Sequence, residues 1–323
     1  MKFLTEEFPG CSILVHCNDA IGSDFSERLY SDRNSSGDDV PQLALAEIIE
    51  LIVALIAVGA LAGFLAGLFG VGGGAILVPV LYELFRIMDV PLETRMPLCV
   101  GTSLAIIIPT AIRSYLEHRR HGSVDMNILR TWAIPILIGV TAGSLIARYA
   151  PEQVFKYVFV AVAWSAAVRL ILGKDSWKIG DAFPTGPLMR IYGFIIGILS
   201  TLMGIGGGLF SNLLMTMYGR SIHQSVATSS GIAVLISIPG TIGYIYAGWP
   251  AAAKFPTTTI LQFPLAIGYI SLIGAIMVMP SSLLTAPFGA KAAHLMSKRT
   301  LEIAFGLYLF IMGSRFAIAL VYK

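Results

Sequence analysis

From residue 44 onward the chain is cut into apolar blocks, at 44–69, 71–87, 96–115, 128–148, 152–172, 188–203, 205–218, 225–247, 262–285 and 300–322. The length of these blocks limits the fold more than any other feature. A helix needs about 20 predominantly apolar residues to cross about 30 Å of hydrocarbon. Inside lipid every backbone polar group must also be satisfied within the segment, which leaves helices as the natural solution. Only 13% of the residues are charged and the mean hydropathy is +0.78, whereas a soluble domain carries about 25% charge. The sequence therefore predicts an all-α polytopic membrane protein of about 8–10 transmembrane segments.

Charge is distributed unevenly. Residues 1–42 hold Lys2, Arg28 and Arg33 against eight acids, so this polar extension is acidic and the remainder of the chain is basic. It lacks the unbroken apolar region and small-residue cleavage site of a secretory signal. The basic residues outside it are scattered singly among the apolar blocks, which excludes the stripe a nucleic-acid partner requires. Cys11, Cys17 and Cys99 have no metal-ligand spacing. His118, His121, His223 and His294 are read as loop residues. No cofactor or metal is implied, and no Ser-His-Asp or paired-carboxylate constellation supports an enzyme.

The second half of the chain repeats the first. Gly59, Gly63, Gly70, Gly72, Gly73 and Gly74 each find a glycine 134 residues later, at Gly193, Gly197, Gly204, Gly206, Gly207 and Gly208. Further on the offset becomes 126, matching Thr102-Ser103 to Thr228-Ser229 and Gly122 to Gly248. The polar, turn-rich stretch 173–187 separates a first transmembrane repeat, 43–172, from a second, 188–323. Counting five passes in each half makes the repeats inverted and gathers Arg119-Arg120, Lys174, Lys178 and Lys298-Arg299 on one side, which the positive-inside rule makes cytoplasmic. Counting each glycine pair as one broken crossing weakens the bias but keeps HRRHG and 173–187 inside. Inverted repeats with short interrupted segments at matching positions point to a binding site where the copies meet.

The glycines divide into two kinds. Gly59, Gly63 and Gly67, like Gly193 and Gly197, have the small-xxx-small spacing of close helix packing. The triplets Gly72-Gly73-Gly74 and Gly206-Gly207-Gly208 are different, because consecutive glycines cost a helix about 1 kcal/mol each relative to alanine. The literal G-x-G-x-x-A match at Gly70 lacks the strand-turn-helix context of a dinucleotide fingerprint. A triplet can instead unwind the chain at depth, and a helix restarting after it presents free amides and a positive dipole end suited to an anion. The hydroxyls of Thr102, Ser103, Thr228 and Ser229 and the amide of Asn212 are the candidate partners of that anion. Backbone amides and hydroxyls bind it weakly enough for release, as transport requires, whereas a mid-span Arg or Lys is costly and holds tightly. Arg113 is read as snorkelling. Glu47 and Glu50 are read as interfacial, with Glu83 a further acid that could relay protons.

GFLAGLFGVGGGAILVPVL, VGTSLAIIIPTAIRSYLEHRRHGSVD and MGIGGGLFSNLLM with HQSVATSSGIAVLISIPGTIGY together resemble the TauE/SafE family of sulfite-exporter and toluene-sulfonate-uptake permeases, over about 44–322. The resemblance implies a bacterial inner-membrane transporter of sulfite, organosulfonates or related small anions, with the two glycine clusters and the two Thr-Ser pairs as the positions carried over. The partners expected are that anion and the lipid bilayer, with a homo-oligomer left open. The alternatives are a carrier of another small anion such as a carboxylate, and a non-transporting scaffold or sensor acting through residues 1–42, an arm longer than the family's usual start.

Overall fold

The computed structural model describes residues 45–69, 74–87, 90–173, 180, 186–252 and 266–321. Residues 52–323 form one compact unit. Residues 1–51 form another, of which only the opening of the first helix is described. The elements are α1 (Leu45–Phe69), α2 (Gly74–Ile87), α3 (Leu92–Arg120), α4 (Met126–Tyr149), α5 (Glu152–Leu172), α6 (Pro187–Met203), α7 (Gly208–Met217), α8 (Ile222–Ala252), the two-residue strands β1 (Ala266–Ile267) and β2 (Ile270–Ser271), α9 (Leu272–His294) and α10 (Lys298–Val321). Six of these helices contain a stretch long and apolar enough to cross a membrane: α3, α4, α5, α8, α9 and α10. Each half thus opens with a helix pair at a glycine cluster and continues with three long helices.

Local chemistry sets the boundaries. Pro91 precedes α3, Glu93 lies in its first turn, and His118, Arg119 and Arg120 in its last, each charge on the favourable end of the helix dipole. Asp125 caps α4, its Oδ1 accepting from the amides of Asn127 and Ile128 at 3.1 and 3.2 Å. Pro187 starts α6 at a position where its missing N–H costs nothing. Arg299, at the start of α10, donates to the carbonyls of Leu170, Ile171 and Gly173, which closes the C-terminal end of α5.

The apolar block read at 262–285 resolves differently. Its described part begins with an antiparallel hairpin, Ala266 opposite Ser271 and Ile267 opposite Ile270, turned at Gly268 with φ +59°, and α9 starts only at Leu272. The hairpin is held against two long helices: Tyr269 donates its amide to the Tyr244 carbonyl at 3.2 Å, and Gly101 and Gly248 leave room for its backbone. Three of the histidines read as loop residues belong to helix ends, His118 to the last turn of α3, His223 to the first turn of α8 and His294 to the end of α9; only His121 lies outside a helix.

Packing follows the small residues. On the α4–α6 seam Gly139 faces the Phe194 carbonyl and Gly197, while Gly193 faces Trp132 and Pro135. On the α1–α9 seam Gly59 faces Val278 and Ser281, Gly63 faces Ser282 and Thr285, and Thr285 Oγ1 donates to the Ala60 carbonyl at 2.8 Å. Each seam thus pairs a helix that precedes one glycine cluster, α1 or α6, with the third helix after the one that precedes the other cluster, α9 or α4. The long helices α3 and α8, which also correspond, pack against each other at the centre. Large apolar side chains such as Ile134, Leu284 and Phe288 are exposed, as a lipid-facing surface requires.

Candidate functional site

The second glycine cluster is a break in the helical path. Gly204 ends α6 with φ +65° and Gly207 starts α7 with φ +76°, both in the left-handed region that L side chains rarely adopt. Between them the Ile205 amide donates to the Ser200 carbonyl at 3.0 Å and the Gly207 amide to the Ile205 carbonyl at 2.7 Å. No side chain caps α7, and the first amides of a helix have no partner within it. The break lies buried between α3 and α8, its walls apolar: a Cβ built on Gly206 would touch Ile107 and Ala233, and one on Gly207 would touch Ile232 and Ile236. Gly208 is the first residue of α7 and is buried.

Of the first cluster, Gly72 and Gly73 lie outside the described residues. Gly74 opens α2 and meets the second break directly. A Cβ on Gly74 would stand 2.6 Å from the Gly204 carbonyl oxygen and 2.6 Å from Ile205 Cα. The ends of the two glycine clusters therefore touch backbone to backbone.

The threonines of the Thr-Ser pairs join the halves. Thr102 Oγ1 accepts from the Ser271 amide at 3.0 Å, and Thr228 Oγ1 accepts from the Asp125 amide at 2.9 Å. Ser271 and Asp125 hold equivalent positions, each immediately preceding the fourth helix of its half and bonding amides of that helix's first turn. Each threonine thus receives the start of the other half's fourth helix. Ser103 Oγ donates to the Gly204 carbonyl at 2.9 Å, and Ser229 Oγ to the Val226 carbonyl of its own helix at 2.9 Å. Thr102→Val should leave the Ser271 amide, in a residue 3% exposed, without its acceptor and cost about 1–3 kcal/mol. Thr228→Val should cost less, because Asp125 is only half-buried. Thermal unfolding of the two variants side by side reads the difference.

Two further hydroxyls, which the repeat pattern did not single out, are buried without a partner. Ser200 is fully buried and its Oγ has no partner; it lies 3.6 Å from the Cβ position of Gly207. Ser237, beside Ile236, is likewise buried and unpartnered. Their first-half counterparts are Ala66 and Ala111, so a search for matched polar residues passes over them. The one available signal is spacing: Ser200 precedes Gly204, where α6 ends, by a helical turn. Asn212 Oδ1 on α7 is also buried without a partner. Ser211 is not available, since its Oγ donates to the Gly207 carbonyl at 2.6 Å.

A separate cluster of charge joins α2, α3, α5 and α10. Lys156 Nζ lies 2.8 Å from Glu152 Oε1, with both side chains 6% exposed, and Tyr82 donates its hydroxyl to the same oxygen at 3.2 Å. Arg95 lies over the Tyr82 ring at 5.5 Å and donates to the Val90 carbonyl. Glu83 is ion-paired at 3.0 Å with both Arg86 and Arg315. Arg113 is exposed on α3.

Comparison with known proteins fits this architecture. The sequence profile described as sulfite exporter TauE/SafE matches residues 55–316, most of the chain. The chain belongs to the TauE/SafE family. It is 32% identical to a "Probable membrane transporter protein" of Haemophilus influenzae over 264 residues, 81% of this chain and 96% of that one. It is 28% identical to another of that name from Methanocaldococcus jannaschii over 275 residues, 83% and 96% of the two chains. A third, from Bacillus subtilis, is 26% identical over 61% of this chain and 79% of its own. No solved structure matches. Family membership and the six apolar helices make this a membrane transporter that crosses the inner membrane several times.

Proposed function

We propose that the chain is a secondary transporter of a small sulfur-containing anion, such as sulfite or an organosulfonate, and has no enzymatic role. The anion is held at the break between α6 and α7, where unpaired amides at the start of α7 and the Ser200 hydroxyl supply donors inside an apolar wall. Donors of this kind gain strength where water is excluded. They carry no net charge, so release stays affordable. The observation that carries the reading is the contact of Gly74 with Gly204 and Ile205, which couples the second break to the start of α2. The two repeats, 43–172 and 188–323, are taken as inverted and rock about the seam between α3 and α8, with binding at the midplane as such folds favour. The family's description as a sulfite exporter supports the substrate class.

Uptake into proteoliposomes tests it, with sulfite, sulfate, thiosulfate, a sulfoacetate-like sulfonate and acetate compared, each with and without a pH gradient. Saturable movement of one sulfur anion in preference to acetate is expected, and the gradient arm shows whether protons drive it. Preferential movement of acetate, or none of the five moving through folded protein, would overturn the assignment.

A further inference from the structure

A groove of about 720 Å³ runs along the outer face of the α4–α6 seam, with Arg130 and Arg190 among its lining residues and Ile134, Ile138, Ile191 and Phe194 forming apolar walls. The four apolar residues are 36–69% exposed and lie on helices of the membrane domain, so a molecule filling the groove must tolerate hydrocarbon. Neither arginine has an ion-pair partner among the described residues. Both sit near helix starts, Arg130 five residues into α4 and Arg190 four into α6. A cation there opposes the helix dipole, and α6 has no side-chain cap for its first amides. An anion between the two guanidiniums would reverse both penalties at once.

We infer that this groove binds an anionic phospholipid, its phosphate held by Arg130 and Arg190 and one acyl chain laid against Ile134, Ile138, Ile191 and Phe194. The two helix starts follow HRRHG and the 173–187 stretch, on the side the basic residues make cytoplasmic, and basic pockets between transmembrane helices on that side suit lipid headgroups. A guanidinium also pairs with phosphate oxygens in a bidentate manner that an ammonium cannot reproduce. The groove lies on α4 of the first half and α6 of the second, so the lipid spans the junction of the two.

Native mass spectrometry of the full chain in detergent tests this, with phosphatidylglycerol and phosphatidylcholine of identical acyl chains titrated in parallel. Wild-type protein is expected to prefer phosphatidylglycerol by about tenfold or more at low salt. The Arg130→Ala/Arg190→Ala protein should bind the two lipids alike. Raising the salt on wild-type protein should shrink the preference several-fold through screening, without any mutation. Millimolar inorganic phosphate should leave the lipid bound. Equal binding of both lipids by wild type, a preference unchanged in the double variant or unchanged by salt, or displacement of the lipid by phosphate would each overturn the inference.

Discussion

Gly74→Ala is expected to remove most uptake activity while the protein still inserts. The added methyl group would fall 2.6 Å from the Gly204 carbonyl oxygen and from Ile205 Cα, and both are backbone atoms with no rotamer to change. Overpacking of this kind costs about 1–3 kcal/mol. If the proposed rocking of the repeats opens this contact, that energy shifts the balance of the two states by roughly 5- to 150-fold. Gly122→Ala is the contrasting control: a Cβ there meets nothing within 4 Å, although its φ of +66° adds a backbone penalty that the helical Gly74 does not carry. Initial rates of uptake, normalised to correctly inserted protein, should separate the two variants. Equal rates would mean that the meeting of the two glycine clusters has no part in transport.

The largest stability effect is expected at Lys156. Its ammonium is the partner of Glu152 Oε1 at 2.8 Å in a site where both side chains are 6% exposed. Lys156→Ala leaves the carboxylate with the Tyr82 hydroxyl as its remaining partner among the described residues. Breaking a buried pair from one side costs about 3–5 kcal/mol, which for a chain of this size lowers the unfolding temperature on the order of 4–7 °C. The Glu152→Gln/Lys156→Met protein removes both charges and should recover most of the loss. A double variant no more stable than Lys156→Ala would show that the ion pair contributes more than the relief of its own desolvation. Thermal unfolding in detergent measures both.

Much of this fold could be read from the blocks. The stretch at 152–172 is α5 to the residue, and 188–203 is α6 within one residue. The second glycine cluster was legible as a break because the cost of its triplet inside a helix needs an explanation. The positive φ angles fall at Gly204, ahead of the triplet, and at Gly207, and the helix resumes at Gly208, within the triplet and not after it as expected. The hairpin at 266–271 was not legible. An apolar run has the same composition whether it is helix or strand; here the chain turns at Gly268, and Ser271, whose Oγ accepts from the Gly274 amide, starts α9. The roles of Thr102 and Thr228 were hidden for a related reason. The repeat identified them as equivalent, but their partners, the amides of Ser271 and Asp125, are backbone groups that no residue pattern displays. Ser200 escaped notice because the position 134 residues earlier is Ala66, which leaves it no polar counterpart for the repeat pattern to single out.

The claim that the anion is held at the α6–α7 break is tested most directly by calorimetric titration of the transported anion into purified wild-type, Ser200→Ala and Ser144→Ala proteins. Ser144 is also buried and unpartnered, but it packs on Gly243 at the α4–α8 seam. Loss of a hydrogen bond to a charged group should weaken binding by Ser200→Ala on the order of tenfold to a hundredfold, with Ser144→Ala matching wild type. Binding by Ser200→Ala as tight as wild type, in a folded protein, would contradict the assignment and move the site away from the break.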